Sequence, residues 1–402
     1  MRRLGLILTW LMLLGVALLA LGIAPAAELP GTTKDTGGAE SAIEPPLVMD
    51  MPEAEDIPRR SVRIRAVGDL MCHQRQLDLA WVGDGAYDFV PAYALAVESL
   101  SDADYTIANL ETTIGLYGNQ PYSGFPRFNS PESLLAAIKG AGVDFLTLAN
   151  NHMLDRYFDG MVATVDHVEA FGFDHGGAYR TQEEADAPVV VEVGGIRIGF
   201  LCYAEHTNGM ESFCDAKATQ FGIDYLAKAD FAADVAALRA LGAKCVIALP
   251  HWGTEYVRQP DYQSRAVAEK MIAAGVDVIL GSHPHMVQPM EFVTVETGDG
   301  PRTALVAWSM GNFIDNMKIQ YTDSGIIVDF TIAETDDGVE ILNVGYVPIY
   351  CWRGDDQIRA LPSGLYLEKA PDGMGDAAYS RMKASYDELV ALIGDGFAVL
   401  EK

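Results

Sequence analysis

From Val62 to Tyr346, apolar runs of strand length alternate with stretches whose apolar positions recur at helical spacing. Runs at Val62–Val67, Tyr105–Asn109, Val143–Ala149, Val246–Pro250, Val276–Leu280 and Ala304–Ser309 each stop at Gly, Pro or a polar cluster, the pattern of buried strands. Helices are predicted over Ala92–Leu100, after Ser130, over Asp159–Phe171, Phe231–Leu241 and Tyr262–Ala274, and at the C-terminus over Ala377–Leu392. Ser130 and Pro131 supply an N-cap and a first-turn proline, and Gly275 closes Tyr262–Ala274. A strand, a helix and a strand in succession place both strands parallel, with their C-terminal ends on one edge. Gly194-Gly195 separates Val189–Val193 from Ile196–Tyr203, a two-residue hairpin signal that adds an antiparallel portion. Gly325–Ala333 and Gly338–Tyr346 alternate as hairpin strands and are expected to close a second sheet. The fold class is α/β.

Hydropathy also divides the chain. Residues 1–27 carry Arg2 and Arg3, an apolar stretch from Leu4 to Ala24 and small residues after it, which predicts a secretory signal peptide or an uncleaved N-terminal membrane anchor. Basic residues ahead of the apolar stretch put the rest of the chain outside the cytoplasm, anchored or secreted. Residues 28–60, rich in Pro, Gly, Thr and acids, are expected to be a disordered tether. A folded domain over 61–350 and a C-terminal extension over 351–402 with the terminal helix complete the organisation.

Composition narrows the partners. Lys plus Arg number 28 against 56 Asp plus Glu, a formal charge of −28, which disfavours nucleic acid. A polyanionic substrate would need a metal or a local basic pocket to approach. Five cysteines without metal-ligand spacing exclude a disulfide scaffold; they are expected to be mostly buried thiols, with a Cys202–Cys214 bridge as the alternative.

The chemistry gathers where apolar runs end. His251 follows Val246–Pro250, and His283 and His285 follow Val276–Leu280. Histidine's neutral imidazole makes it the commonest metal ligand, and His-x-His at a strand end aims two rings at one volume. Asp69 follows the first strand and a glycine, and Glu111 follows the second strand and Asn109. Asn150, Asn151, His152 and Asp155 cluster after Val143–Ala149, where such groups are costly to bury unless paired. His175 is expected to border this cleft, and residues 205–225 to form a loop that covers it.

The segments G-D-L-M at 68–71, N-L-E at 109–111, F-N-S-P at 128–131, A-N-N-H-M-L-D at 149–155, H-W-G-T-E-Y at 251–256, G-S-H-P-H at 281–285 and S-M-G-N-F at 309–313 occur in this order. Together they resemble the CapA family of capsule-synthesis and poly-γ-glutamate biosynthesis proteins, which is itself similar to the calcineurin-like metallophosphoesterases. The resemblance implies a four-layer sandwich of two mixed β-sheets flanked by helices, and one or two divalent metal ions. By this likeness Asp69 and His285 hold a first metal, Glu111 bridges, and Asn151, His251 and His283 hold a second. His152 is then the acid that protonates a leaving oxygen, oriented by Asp155. The metallophosphoesterase pattern has a histidine where this chain has Met71, which leaves the first metal fewer protein ligands. A nitrogen and oxygen donor set with three histidines suits Mn, Fe or Zn better than Mg or Ca.

The sequence supports two functional readings. In one, the chain is an extracytoplasmic metal-dependent hydrolase acting on a phosphoester or a polymer amide bond. In the other, it is a non-catalytic, membrane-anchored accessory of a polymer-synthesis complex. Both imply an anionic polymer such as poly-γ-glutamate or a cell-wall glycopolymer, and membrane polymer-synthesis proteins, as partners. Arg127, Arg156 and Arg258 are the candidates to meet the polymer's charge.

Overall fold

Strand β1 (Ser61–Leu70) runs through the middle of the first sheet and is buried along almost its whole length. The computed structural model describes residues 60–402, apart from 116–119 and 337. The expected leader, and the tether up to residue 59, lie outside the described residues. Strands β2 (Tyr105–Leu110), β3 (Phe145–Thr147) and β4 (Asp174–Gly176) add to β1 in turn, each parallel to the one before. Helix α1 (Ser133–Gly140) connects β2 to β3, and α2 (Tyr157–Ala170) connects β3 to β4.

The chain then builds the second sheet. Strands β5 (Val189–Val193) and β6 (Ile196–Ala204) form the hairpin that Gly194-Gly195 signals. After helix α3 (Phe231–Ala240), strand β7 (Cys245–His251), helix α4 (Tyr262–Ala274) and strand β8 (Val278–Leu280) make the strand–helix–strand unit. Both of its strands are parallel, and β6 lies parallel on the other side of β7. Strands β9 (Met290–Thr297) and β10 (Gly300–Ala307) close this sheet in the order β9-β10-β8-β7-β6-β5.

The remaining strands return to the first sheet. They are β11 (Asn312–Ile314), β12 (Ser324–Thr335), β13 (Gly338–Arg353), β14 (Ile358–Pro362) and, after helix α5 (Asp376–Ile393), β15 (Ala398–Val399). The sheet's main order is β14-β13-β12-β1-β2-β3-β4, with β11 beside β1 and β15 beside β13. Both sheets mix parallel and antiparallel pairs, as the α/β sandwich requires.

Alternation along the strands fixes the layers. Cys245, Ile247 and Leu249 of β7 join the core shared with β1 and β2, whereas Val246 and Ala248 pack against Val235 and Leu238 of α3 and Ala268, Met271 and Ile272 of α4. Across the shared core Phe145 of β3 stacks on Phe200 of β6, ring centroids 4.2 Å apart. On the far side of the first sheet lie α5, against β13, and the short helices Val90–Tyr93 and Val97–Ser101.

Three expectations change here. The hairpin of β12 and β13 does not close a second sheet; β12 pairs antiparallel with β1, Ala333 opposite Ser61 through to Ile327 opposite Val67. Its place is set by charge as well as by pleat, because the fully buried Arg65 of β1 meets Asp329 of β12 at 2.6 Å, and Arg63 reaches the same carboxylate at 2.8 Å. The single helix over Ala92–Leu100 breaks into Val90–Tyr93 and Val97–Ser101, and the break lets the Ser99 carbonyl accept from the Arg65 guanidinium. The cysteines are free and mostly buried thiols, as expected, and the alternative Cys202–Cys214 bridge is absent. The segment after residue 350 continues the first sheet: β13 extends to Arg353, β14 and β15 pair with it, and the Lys402 carbonyl accepts from Arg65 Nη2 at 3.0 Å.

Asp329→Ala leaves the Arg65 guanidinium buried without its counter-charge and is expected to cost about 3–5 kcal/mol, read as a lower urea midpoint at unchanged slope. Asp356→Ala, which breaks an exposed pair with Arg359 of 2.8 Å, should cost less than ~1 kcal/mol. Equal losses would remove the buried pair as an anchor of the sheet.

Candidate metal centre

Five parallel strands end on one edge, and their first residues beyond the apolar run form a pocket between the two sheets. Asp69 closes β1, Glu111 follows β2, Asn151 and His152 follow β3, His251 ends β7, and His283 and His285 follow β8. Burial is nearly complete for all of them. Two glycines allow the strands to approach this closely. A Cβ on Gly68 would sit 2.0 Å from the Gly311 carbonyl oxygen, and one on Gly281 would sit 2.1 Å from that of Trp308. The turn carrying the paired histidines holds His283 at φ 99° and His285 at φ 56°, a left-handed conformation that costs residues with a Cβ on the order of 1–3 kcal/mol each. Strain of this kind collects where side chains are held for a purpose.

The contacts fall into two sets around Glu111. His285 Nδ1 is 3.2 Å from Asp69 Oδ2 and 3.0 Å from Asn312 Oδ1. A single N–H cannot serve both, and Asp69 Oδ2 is left without an aligned hydrogen bond. On the other side His251 Nε2 lies 3.0 Å from Asn151 Oδ1 and 3.1 Å from His283 Nδ1. Glu111 Oε1 is 3.7 Å from His251 Nε2 and 3.7 Å from His285 Nε2. Among the described residues, ligand atoms of Glu111, His283 and His285 lie within 4.8 Å of one another, and so do those of Asp69, Glu111 and His251. Glu111 is common to both groups.

These residues suit a divalent cation on grounds of their own chemistry. Glu111 is fully buried and neither of its carboxylate oxygens has a hydrogen-bond partner; Asn151 Nδ2 is likewise unpaired. A buried unpaired carboxylate is costly, and a cation between it and the imidazoles would relieve the cost. Burial, then the neighbouring Asp69 charge, push the Glu111 carboxyl well above its ordinary range. Burial, followed by the neighbouring histidines, keeps His251 and His283 neutral, with lone pairs free to coordinate. At His285 burial also opposes the cation, but the close Asp69 carboxylate outweighs it and raises its basicity.

Two asparagines complete the support. Asn109 donates to Asp69 Oδ1 at 2.8 Å, accepts from Asn150 Nδ2 at 3.3 Å and lies 3.3 Å from His251 Nδ1, so it ties β1, β2, β7 and the turn after β3 together. Asn312 of β11 holds His285. The only sequence signal for either was its place inside a motif, since an asparagine at a strand end has the same local pattern whether it braces a site or merely caps a turn. Ser282 Oγ, 3.1 Å from His251 Nδ1, can accept that ring's proton and turn Nε2 toward Glu111.

Beside the cluster, His152 Nδ1 meets Asp155 Oδ2 at 2.8 Å, and the same oxygen accepts the Phe128 N–H at 2.7 Å. Phe128 sets its edge against the His152 ring at 4.7 Å. The dyad therefore has a fixed orientation.

The three arginines lie outside the ligand cluster. Arg127 donates to the Asp155 carbonyl and stacks over Tyr157; Arg156 donates to Gln120 at 2.9 Å and to Ser123; Arg258 donates to the Glu388 carbonyl at 3.2 Å and lies over Tyr321. Met71 is buried, with its backbone paired to Ile314. His175 pairs with Glu169 at 3.2 Å. From the 205–225 segment, His206 packs edge-on to His283 at 5.2 Å.

Fold and site thus define an α/β protein of two mixed sheets with a candidate divalent-metal centre at their shared edge. Residues 63–317 match the family described as bacterial capsule synthesis protein PGA_cap, more than half of the chain, and the protein belongs to that family. It is 27% identical over 298 residues to the capsule biosynthesis protein CapA of Bacillus anthracis, covering 72% of this chain and 67% of that one. The PGA biosynthesis protein CapA of Bacillus subtilis (strain 168) is 24% identical over 246 residues, 59% of this chain and 60% of its own length. A probable polyglutamine synthesis accessory protein of Mycobacterium tuberculosis is 28% identical over 208 residues, covering 49% of this chain and 54% of its own. Among solved structures, the calcineurin-like phosphoesterase YfkN of Bacillus subtilis aligns with a TM-score of 0.42 at 13% identity, over 83% of this chain and 99% of that one.

Glu111→Gln should stabilise the metal-free protein by about 1–3 kcal/mol, because it removes a buried charge with no partner, and should abolish the rise in melting temperature that Mn²⁺ gives the native chain. Because the folded carboxyl titrates above its ordinary value of 4.5, its favourable contribution is full below 4.5 and is lost as pH rises through the folded value. The native chain should therefore draw level with the variant as pH falls from neutral toward 4.5. A variant less stable than the native chain at neutral pH without metal would contradict this account of the pocket.

Proposed function

We propose that this chain is an extracytoplasmic protein of capsule or poly-γ-glutamate synthesis or export, whose strand-end pocket holds one or two divalent ions and cleaves a phosphoester or a polymer amide bond. The observation that carries the reading is Glu111: a fully buried carboxylate with both oxygens unpaired, set 3.7 Å from two imidazoles. Family membership supports the polymer pathway, and the basic, then apolar, N-terminal sequence supports the compartment and a membrane anchor or secretion.

The ion supplies Lewis-acid polarisation of the scissile group and a water acidic enough to attack at neutral pH. Asp69, Glu111, Asn151, His251, His283 and His285 would hold it, and their nitrogen and oxygen donors favour Mn, Fe or Zn. Asn109 and Asn312 keep Asp69 and His285 in register. His152 delivers a proton from Nε2 to the departing oxygen, with its Nδ1–H held on Asp155, so the ring neither rotates nor changes tautomer between turnovers. Arg127 braces the dyad from behind through the Asp155 carbonyl.

Met71 favours a second reading, in which the pocket binds without chemistry as part of a membrane polymer-synthesis complex. A thioether at the position where a metallophosphoesterase has histidine would leave an ion there one protein ligand fewer.

Metal analysis of the purified chain is expected to give about one or two equivalents of Mn, Fe or Zn. His152→Ala should lower turnover of a generic phosphodiester about 10²–10⁴-fold while the metal content stays the same. A chain with neither metal nor turnover would move the assignment to the binding reading.

A further inference from the structure

A second recess of about 230 Å³ lies on the surface next to the His152 side of the pocket. Its walls are Gln74, Leu77, Asp78, Trp81, Tyr87 and Tyr122. Trp81 and Tyr87 face each other across the two-stranded ribbon Trp81–Gly83 and Ala86–Tyr87 at 5.2 Å, and Tyr87 meets Tyr122 edge-on at 5.5 Å. These large aromatic surfaces are open to solvent: Trp81 is 49% exposed, and the neighbouring Phe125 is 71% exposed. Tyr87 and Tyr122 are half-buried and rest against the main core, which leaves Trp81 and Phe125 as the rings turned to solvent. Exposed aromatic clusters of this kind mark binding surfaces.

Side-chain contacts link the recess to the candidate site. Phe128 touches the His152 ring on one side and the His73 ring, at 5.1 Å, on the other; Phe125 packs against Phe128 at 6.5 Å. Gln74, next to His73, lines the recess and lies 3.5 Å from the Gly124 N–H. A chain seated on the aromatic rings would thus lead to His152.

Its chemistry selects against a polyanion. None of the lining residues is Lys or Arg, one is Asp78, and the whole chain carries a formal charge of −28. The polar groups beside the rings include Gln74, whose Nε2 donates to Asp78 Oδ1 at 2.8 Å, and the Tyr122 hydroxyl, which donates to Glu132 Oε2 at 3.3 Å. Aromatic faces take the C–H faces of sugar rings, while planar amide and carboxylate groups take their hydroxyls.

We propose that the recess formed by Trp81, Tyr87 and Tyr122 is a subsite for uncharged sugar units of a glycan chain that passes on toward His152. This rests on the proposed function in taking the sugar units to flank the phosphoester or amide bond cleaved at the neighbouring site, but binding in the recess does not need that site to be loaded with metal, so the two readings fail separately.

The test is calorimetric titration of the full chain with chitohexaose, maltohexaose and mannohexaose, with a poly-γ-glutamate oligomer as the competing probe. At least one of the sugars is expected to bind and to change the tryptophan emission, since Trp252 and Trp308 are buried and Trp81 is exposed. Trp81→Ala and Tyr122→Ala should each weaken that binding at least tenfold, with circular dichroism and metal content unchanged. His152→Ala should leave it intact. If none of the sugars binds, if the aromatic variants bind as the native chain does, or if only the glutamate oligomer binds and does so through Trp81, the proposal is overturned. A dimer in solution that Trp81→Ala dissociates would assign the face to a second copy and would also overturn it.

Discussion

The structure is organised by the difficulty of keeping the Glu111 carboxylate in a dry space between two sheets. A charge there must be met by something, and the surrounding groups are those that can meet a cation's other side: neutral imidazoles and a second carboxylate, with no buried Lys or Arg among the described residues of the cluster. The turn after β8 accepts two residues of left-handed backbone to place His283 and His285, and Gly68 and Gly281 give up side chains so that the strands can close on one another. Strain and close packing at this edge are sustained by the apolar sandwich behind it, where β7 contributes side chains to the core on both faces.

A rigid rear and a strained front divide the labour. The core holds the two sheets against each other, while the Arg65–Asp329 pair and the C-terminal strand tie strands together within the first sheet. They leave the front edge with the geometry its polar groups require, and not the geometry those groups would choose alone. His152 illustrates the same division: Asp155 fixes its proton and Phe128 its plane, and Arg127 holds Asp155 from outside the pocket. Beyond it the surface changes character from buried and ionisable to exposed and aromatic, with Trp81 and Phe125 turned to solvent.

Much of this is legible in the sequence, for a reason that applies residue by residue. An apolar run that ends in His251, or in His283 and His285, states both that a strand is buried and that its end is polar at a cost, and the parallel strand–helix–strand order puts such ends together. The hairpin of β12 and β13 is legible as a hairpin but not as a member of the first sheet, because an alternating pattern names the two faces of a strand and says nothing of its neighbour. Asn109 is visible but reads as an ordinary strand-end amide; its three partners come from segments 40 or more residues away. The break near Ala94 is equally out of reach, since it depends on contacts that no local pattern encodes.

What the sequence determined alone is the list of polar groups at strand ends, the direction of the central strands, the strong negative charge and the family. Tertiary structure decided which of those groups share a volume. It set Glu111 between two ligand sets, placed the arginines in braces outside the ligand cluster, and opened an aromatic recess beside His152. The physical reason is that periodicity reports burial and strand direction, which are properties of one segment. Distances of 3 to 4 Å between side chains on five strands arise only from how two sheets pack.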